Sequence, residues 1–328
     1  MGQRAGSRAW QITLSLLVAS LLLWLFFRQA PLAEVGQVLR EVRWQPLIAA
    51  TACALASYAA RAWRWGLILS STGSAPYATL FGCTAAGFAT SALLPARLGE
   101  LVRPLLLSSR TRLPAAATLA SIVAERLLDL VTLVGLFAVA LLARWQGQQH
   151  LVPSLLWTLL AVMVLAVGVA VLVRARQRLL TFLEAKLVHP WGRRLLRFLT
   201  ELLQGLSFWG NPRHALALGF GSLITWGLAI GQVAMTAWAF AGHLSPRQAT
   251  LVLALSVVGL AVPTPGGVGG FHAATQIALM QVASWPAAAA TAFALIHHAI
   301  CFVPITVVGF GYMLLVGFSW ELVKREKP

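Results

Sequence analysis

Long apolar runs recur along the whole chain and limit its fold more than any other feature. Of its 328 residues, 59% are hydrophobic and only 10% are charged, and the mean hydropathy is +0.79. Several runs exceed the roughly 20 apolar residues with which a helix crosses a bilayer. They are continuous rather than alternating, which argues against a transmembrane β-barrel. The sequence therefore predicts an all-α polytopic membrane protein.

Six of the apolar runs have the length of a full transmembrane helix. We expect these spans at about residues 10–27, 46–69, 114–143, 153–173, 213–241 and 286–318. The first run could also be the apolar part of a signal peptide, but it is long for that and no clear cleavage site follows it. We therefore expect it to be retained as the first helix.

Two more apolar segments are interrupted by proline and glycine. The first runs from residue 76 to 108 and breaks at Pro95–Gly99, and the second follows Ser245 and breaks at Pro263–Gly270. Proline removes a helical hydrogen bond, and glycine weakens a helix. Irregular backbone at membrane depth is tolerated only where it is buried in protein or lines a wet cavity. Both segments therefore predict re-entrant or broken helical hairpins, with their breaks at membrane depth and close to one another.

The basic residues predict the orientation of the chain. Lys and Arg outnumber Asp and Glu by 25 to 9, and most of the basic residues lie between apolar runs. Cytoplasmic loops are enriched in Lys and Arg, so this excess indicates topology rather than nucleic-acid binding, and it is compatible with contact to anionic lipid head groups. We expect cytoplasmic termini and a basic, amphipathic cytoplasmic segment at about 174–212, in a bacterial inner membrane.

The order of the predicted elements repeats. A single membrane domain, residues 1–328, divides into pseudo-repeats at about 10–145 and 150–320, each with the order span, span, hairpin, span. The two halves have opposite orientations. An inverted repeat with broken elements at matching positions is typical of a transporter whose site lies between the breaks.

Three of the nine acidic residues fall in one short stretch, residues 95–129. A charge at bilayer depth costs at least a few kcal/mol, so such groups usually face a cavity or a partner. We predict one network that lines a polar cleft and has no net charge, formed by Arg97, Glu100, Arg103, Glu125, Arg126 and Asp129. The alternative is a set of internal ion pairs that locks the first hairpin against span 114–143.

Arg61 and Arg64 lie three residues apart near the end of the second span, beside Trp63 and Trp65. This spacing puts both arginines on one helical face. One interpretation is interfacial, with arginines that extend to the head groups and tryptophans that anchor the helix. The other is direct binding of a lipid head group.

Four segments resemble a known family when taken in order. They are RAWRW (61–65), LPARLGELVRPLLL (94–107), ERLLDL (125–130) and PTPGGVGGFHAA (263–274). Together they resemble the membrane region of lysylphosphatidylglycerol synthases and the stand-alone, flippase-like (UPF0104-type) membrane proteins that share it. The resemblance runs from about residue 10 to 320.

The resemblance implies which positions matter. The family's R-x-G-E-x-x-R corresponds to Arg97, Glu100 and Arg103, and its E-R-x-x-D to Glu125, Arg126 and Asp129. Its proline-glycine turn corresponds to Pro263, Pro265, Gly266, Gly267 and Gly269. Where the family usually has a glutamate after this turn, the chain has His272. A histidine there could titrate near neutrality or could only fill space.

The resemblance implies a lipid translocase that moves a phospholipid such as aminoacylated phosphatidylglycerol, or another anionic or glycosylated lipid, between leaflets. The alternatives are a helper that presents lipid to a separate enzyme, and an intramembrane lipid-modifying enzyme. We expect no enzyme activity, because the chain has no catalytic motif that we recognise and no soluble synthase domain. We also expect no metal or cofactor, since Cys53, Cys83 and Cys301 are scattered and His297–His298 has no carboxylate nearby.

Overall fold

A computed structural model describes residues 2–70, 72–93, 99–142, 175–186 and 212–317, with isolated helical positions between 160 and 200. Within these residues all regular structure is helical and no strand occurs, as the apolar runs predict. The α-helices are α1 (Gly2–Phe27), α2 (Leu32–Arg40), α3 (Trp44–Leu69), α4 (Tyr77–Leu93), α5 (Gly99–Arg110), α6 (Ala115–Leu142), α7 (Arg176–Lys186), α8 (Pro212–Ala239), α9 (Pro246–Gly259), α10 (Gly270–Ala283) and α11 (Ala287–Leu315).

Two helices of the described part of the chain are long and apolar enough to cross a membrane by themselves. They cover Arg213–Ala239 and Ala287–Leu315. A third candidate is the pair Ser15–Phe27 and Leu32–Arg40, which are bent by 76° at the short break between them. By length and composition the described residues therefore contain two or three spans, fewer than the six predicted.

Fewer than six spans are found for two reasons. Charged residues interrupt some of the long helices, and one predicted span lies outside the described residues. Helix α6 has 28 residues, enough for a span, but its centre carries Glu125, Arg126 and Asp129, which lower its apolar character. Helix α3 has 26 residues and includes Arg61 and Arg64. The predicted span at 153–173 and most of the basic segment at 174–212 lie outside the described residues, except for α7.

The chain forms two compact units, and the first contains Met1–Tyr58, Ala85–Val102 and Gly227–Val316. In this unit α10 packs against α1, α9 and α11, and α11 packs against α2. Its helices approach closely through small residues. A side chain at Gly309 of α11, for example, would overlap the backbone of Ala85 in α4.

The second unit contains Ala59–Thr84, Arg103–Trp226 and the C-terminal residues from Gly317. Its described core joins α3, α6 and α8 through Ile68, Ala124, Leu128 and Leu218. Both units draw on both halves of the sequence. The predicted inverted repeat stays a prediction.

The first predicted break falls between α4 and α5. Helix α4 ends at Leu93, residues 94–98 are outside the described part of the chain, and α5 begins at Gly99. Gly99 lies against the backbone of Thr90 and Ser91, where a side chain would overlap Ser91. Glycine is therefore required at the start of α5 because the two helices of this hairpin approach closely there.

The second predicted break lies between α9 and α10, and the structure confirms that the helix is interrupted there. Helix α9 begins with a capping box in which Ser245 and Gln248 bond each other's backbone N–H groups. After Gly259 the chain leaves the helix, makes one 3₁₀ turn at Pro265–Gly267 and starts α10 at Gly270.

Candidate functional site

Arg61 and Arg64 lie in the second unit, and neither is exposed at its surface. Both side chains are buried, Arg64 completely. Arg61 Nη1 donates to Glu125 Oε1 at 3.0 Å and to Asp129 Oδ2 at 2.5 Å, and Arg64 Nη2 donates to Asp129 Oδ1 at 2.6 Å. Carboxylates of α6 therefore hold both arginines in the protein interior, and whether the pair binds a lipid head group stays a prediction.

Glu125 and Asp129 lie four residues apart and share one face of α6. Glu125 is completely buried and accepts a further hydrogen bond from Arg103 Nη1 of α5, at 2.7 Å. Arg126 reaches Asp129 at 3.5 Å, while its own side chain stays 37% exposed. Two carboxylates at this spacing would repel each other unless cations lay beside them. The arginines of α3, α5 and α6 provide those cations.

Polar and aromatic side chains fix the arginines in place. The guanidinium carbon of Arg103 lies 3.9 Å from the centre of the Trp65 ring, and Trp65 Nε1 donates to Ser121 Oγ at 2.7 Å. Arg64 Nη1 donates to Ser222 Oγ of α8, also buried, at 2.8 Å. We call the set that these bonds and ring contacts join the arginine cluster: Arg61, Arg64, Trp65, Arg103, Ser121, Glu125, Arg126, Asp129, Ser222 and Trp226.

The arginine cluster differs in membership from the network that the sequence predicts. Arg103, Glu125, Arg126 and Asp129 belong to both. Arg97 lies outside the described residues. Glu100 lies half-buried in the first turn of α5 and belongs to the first unit, so its place in the network stays a prediction.

The buried charges of the arginine cluster do not cancel. Arg61, Arg64 and Arg103 carry three positive charges when ionised, against two negative charges on Glu125 and Asp129, which leaves one positive charge. Arg126 is omitted from this sum because it is partly exposed. The network predicted from the sequence had no net charge because it counted Arg97 and Glu100. The observed cluster instead includes Arg61 and Arg64.

Part of the arginine cluster could have been found from spacing. Ser121, Glu125 and Asp129 repeat every four residues and share one face of α6, as Arg61 and Trp65 do on α3. This pattern signals two polar faces in a membrane protein. Nothing in the spacing shows that the two faces meet, because the hydrogen-bonded residues are 56 to 68 positions apart.

The proline-glycine turn lies in the first unit. Its glycines have a backbone conformation, with positive φ, that other residues rarely adopt. Gly266, Gly267 and Gly269 have φ values of 58°, 70° and 87°. A side chain at Gly266 would lie 3.2 Å from the carbonyl oxygen of Ala92, near the end of α4. The second break thus lies beside the residues that precede the first one. Its depth in the membrane stays a prediction.

Hydrogen bonds hold the turn to two other helices. Ser15 Oγ of α1 donates to the carbonyl oxygen of Pro263 at 2.7 Å, and His298 Nε2 of α11 bonds the carbonyl oxygen of Gly266 at 2.9 Å. The carbonyl of Pro263 and the turn itself thus have partners far away in sequence. Sequence reasoning missed this contact of His298.

His272 is buried directly after the turn. Its ring centre is 4.4 Å from that of His298 and 5.4 Å from that of Phe26, and the N–H of Gly269 donates to its Nδ1 at 3.4 Å. His297, the neighbour of His298, faces another way and accepts from Gln232 Nε2 at 2.8 Å. In the described residues no three His, Cys, Asp or Glu side chains are grouped to hold a metal ion.

One comparison with known proteins identifies a family for this chain. The family model for the lysylphosphatidylglycerol synthase TM region matches residues 12–309. No curated protein matches the chain. The match covers most of the sequence, so the chain belongs to the lysylphosphatidylglycerol synthase TM region family, an integral membrane family. Membership confirms the resemblance and gives the chain a role related to membrane lipid.

Proposed function

We propose that this protein moves an anionic phospholipid, such as an aminoacylated phosphatidylglycerol, or another anionic or glycosylated lipid between the two leaflets of a membrane. The observation that carries the proposal is the arginine cluster, which keeps charged side chains buried among apolar helices. Charges at that depth are costly and mark the pathways of substrates or ions in membrane proteins. Family membership supports a role related to membrane lipid, and we take a lipid as the substrate on that ground.

The proposed topology has six full spans and two re-entrant hairpins. Both termini and the basic segment at about 174–212 face the cytoplasm of a bacterial inner membrane, because Lys and Arg accumulate on that side. The two interrupted segments, α4 with α5 and α9 with α10, form the hairpins. They occupy matching positions in an inverted repeat, as in transporters with broken helices.

In the proposed mechanism, arginines exchange a carboxylate for a lipid phosphate. Arginine suits phosphate because its planar fork of N–H donors matches two oxygens at once. Glu125 and Asp129 each have more than one arginine neighbour, so one guanidinium can turn to the lipid while another keeps the carboxylate paired. No catalytic step is part of this proposal.

Reconstitution of the purified protein into vesicles tests the proposal. Vesicles carry a fluorescent phosphatidylglycerol in both leaflets, and an impermeant reductant removes the signal of the outer leaflet. With the protein present, we expect the protected fraction to fall below the value of protein-free vesicles. Lipid that binds to the protein but stays in its leaflet would instead support the helper role and refute translocation.

A further inference from the structure

Three residues of the arginine cluster bury four hydrogen-bond donors that have no acceptor among the residues that the structure describes. They are Arg64 Nε, Arg103 Nε, Arg103 Nη2 and Trp226 Nε1. The three residues are 0%, 3% and 6% exposed, so water does not reach these groups freely. Folded proteins pair nearly all of their buried polar groups, and each exception needs an explanation such as a missing ligand.

The unpartnered donors belong to one continuous group. The Arg61 guanidinium carbon lies 5.9 Å from the centre of the Trp226 ring, and Arg61 shares Glu125 with Arg103. Arg64 bonds Ser222, one helical turn before Trp226 on α8. The donors thus come from three helices, α3, α5 and α8. Arg64 and Arg103 also bond the carboxylates of α6, and Trp226 adjoins Arg61, which bonds both carboxylates.

The chemistry of the donors restricts the ligand. Guanidinium and indole N–H groups donate hydrogen bonds and accept none. A matching ligand must therefore present several acceptor oxygens, which an ammonium group does not. The buried part of the cluster also has one positive charge more than its carboxylates cancel. A group with acceptor oxygens and a single negative charge satisfies both conditions.

We propose that Arg64, Arg103 and Trp226 form a binding subsite for the singly charged phosphodiester of a lipid head group. This inference rests on the proposed function and refines it, because it names the phosphodiester as the part of the lipid that the arginine cluster recognises. Inorganic phosphate presents similar oxygens without the lipid chains. The experiment must therefore separate the two sources of the anion.

Calorimetric titration of the full-length protein in detergent tests the subsite. The probes are dihexanoyl phosphatidylglycerol, dihexanoylglycerol, which lacks the phosphate, and inorganic phosphate. We expect dihexanoyl phosphatidylglycerol to bind. Dihexanoylglycerol should bind at least about tenfold more weakly because charged hydrogen bonds are lost. Inorganic phosphate should also bind more weakly than the phosphatidylglycerol. Equal affinity for the two lipids would overturn the phosphodiester assignment, and free phosphate that bound as tightly as the lipid would overturn its lipid source.

Two variants connect the binding to the named donors. Trp226→Phe removes the indole N–H and keeps an aromatic ring, and Trp63→Phe is the matched control at a tryptophan that is 41% exposed. We expect Trp226→Phe to weaken phosphatidylglycerol binding roughly tenfold or more without lowering the unfolding temperature of the lipid-free protein. Arg103→Lys, which keeps the charge but loses the planar donors, should weaken binding similarly. Unchanged affinity in both variants would overturn the subsite.

Failure of the subsite can be told apart from failure of the proposed function, because lipid movement is measured separately, after the same purified protein is reconstituted into vesicles. Phosphate-dependent binding without any movement of lipid supports the subsite and refutes translocation. Movement of lipid with no preference for the phosphodiester refutes the subsite and leaves translocation standing.

Discussion

At the scale of single residues, each carboxylate of the arginine cluster serves several arginines. Asp129 accepts from Arg61 and Arg64, and Glu125 accepts from Arg61 and Arg103. Removal of one partner from a buried ion pair leaves an uncompensated charge, which costs more than the pair contributes. The cluster should therefore respond strongly to single changes and less strongly to matched ones.

Asp129→Asn should destabilise the protein by about 3–5 kcal/mol, since two buried arginines lose a charged partner while the shape of the side chain is kept. Reversible unfolding in mixed detergent measures the free energy of unfolding. The control is Glu184→Gln on α7, an exposed carboxylate that should change stability by less than about 0.5 kcal/mol. Equal effects at the two positions would contradict the buried network.

A second prediction concerns the pair Arg103 and Glu125, whose atoms are 2.7 Å apart. Arg103→Gln and Glu125→Gln should each destabilise the protein, and the double variant should lose less than the sum, with a coupling energy of about 0.5–3 kcal/mol. The double-mutant cycle is read from the same unfolding measurement. Additive effects would show that the two side chains are not coupled.

At the scale of elements, the second hairpin depends on a turn that only glycine adopts easily. Gly269 has a φ of 87°, and a side chain there would lie 2.8 Å from the Cβ of Leu22 in α1. Its position couples α1 to the start of α10. The turn thus holds both its own backbone and a neighbouring helix in place.

Gly269→Ala should destabilise the protein by about 1–3 kcal/mol, the usual cost of a strained backbone region. Gly135→Ala is the matched control, because Gly135 lies within α6 and has nothing within 4 Å of an added Cβ. That control should be neutral or stabilising by up to about 1 kcal/mol. The unfolding temperature of each purified variant measures the difference, and a neutral Gly269→Ala would contradict the described turn.

The elements also show how far the sequence predicts the structure. Apolar runs gave helices such as α6 and α11 nearly in full, and proline with glycine located the break after α9. Those signals are local. The partners of Arg61 and Arg64 could not be predicted, because the carboxylates lie on another helix more than 60 residues away. From the sequence alone, two arginines beside tryptophans near the end of a span fit a membrane interface as well as they fit a buried ion pair. Only the contact with α6 distinguishes the two.

At the scale of the whole molecule, the distribution of basic residues predicts the orientation. With three native cysteines replaced, a cysteine at position 186 should react with a membrane-impermeant reagent only after the membrane is opened. The reason is that Lys186 ends α7 within a strongly basic segment, which the positive-inside rule assigns to the cytoplasm. Strong labelling of intact cells at this position would contradict the proposed topology.

We propose that lipid moves between leaflets through contacts with the buried arginines. The most direct measurement compares the rate of phosphatidylglycerol movement in vesicles that hold equal amounts of folded Arg103→Gln and Arg110→Gln protein. Both residues lie on α5, but Arg103 is buried in the arginine cluster and Arg110 is exposed. We predict at least about tenfold slower movement for Arg103→Gln, as expected when a charged hydrogen bond to the moving lipid is lost, and the wild-type rate for Arg110→Gln. Equal rates in the two variants would contradict the claim.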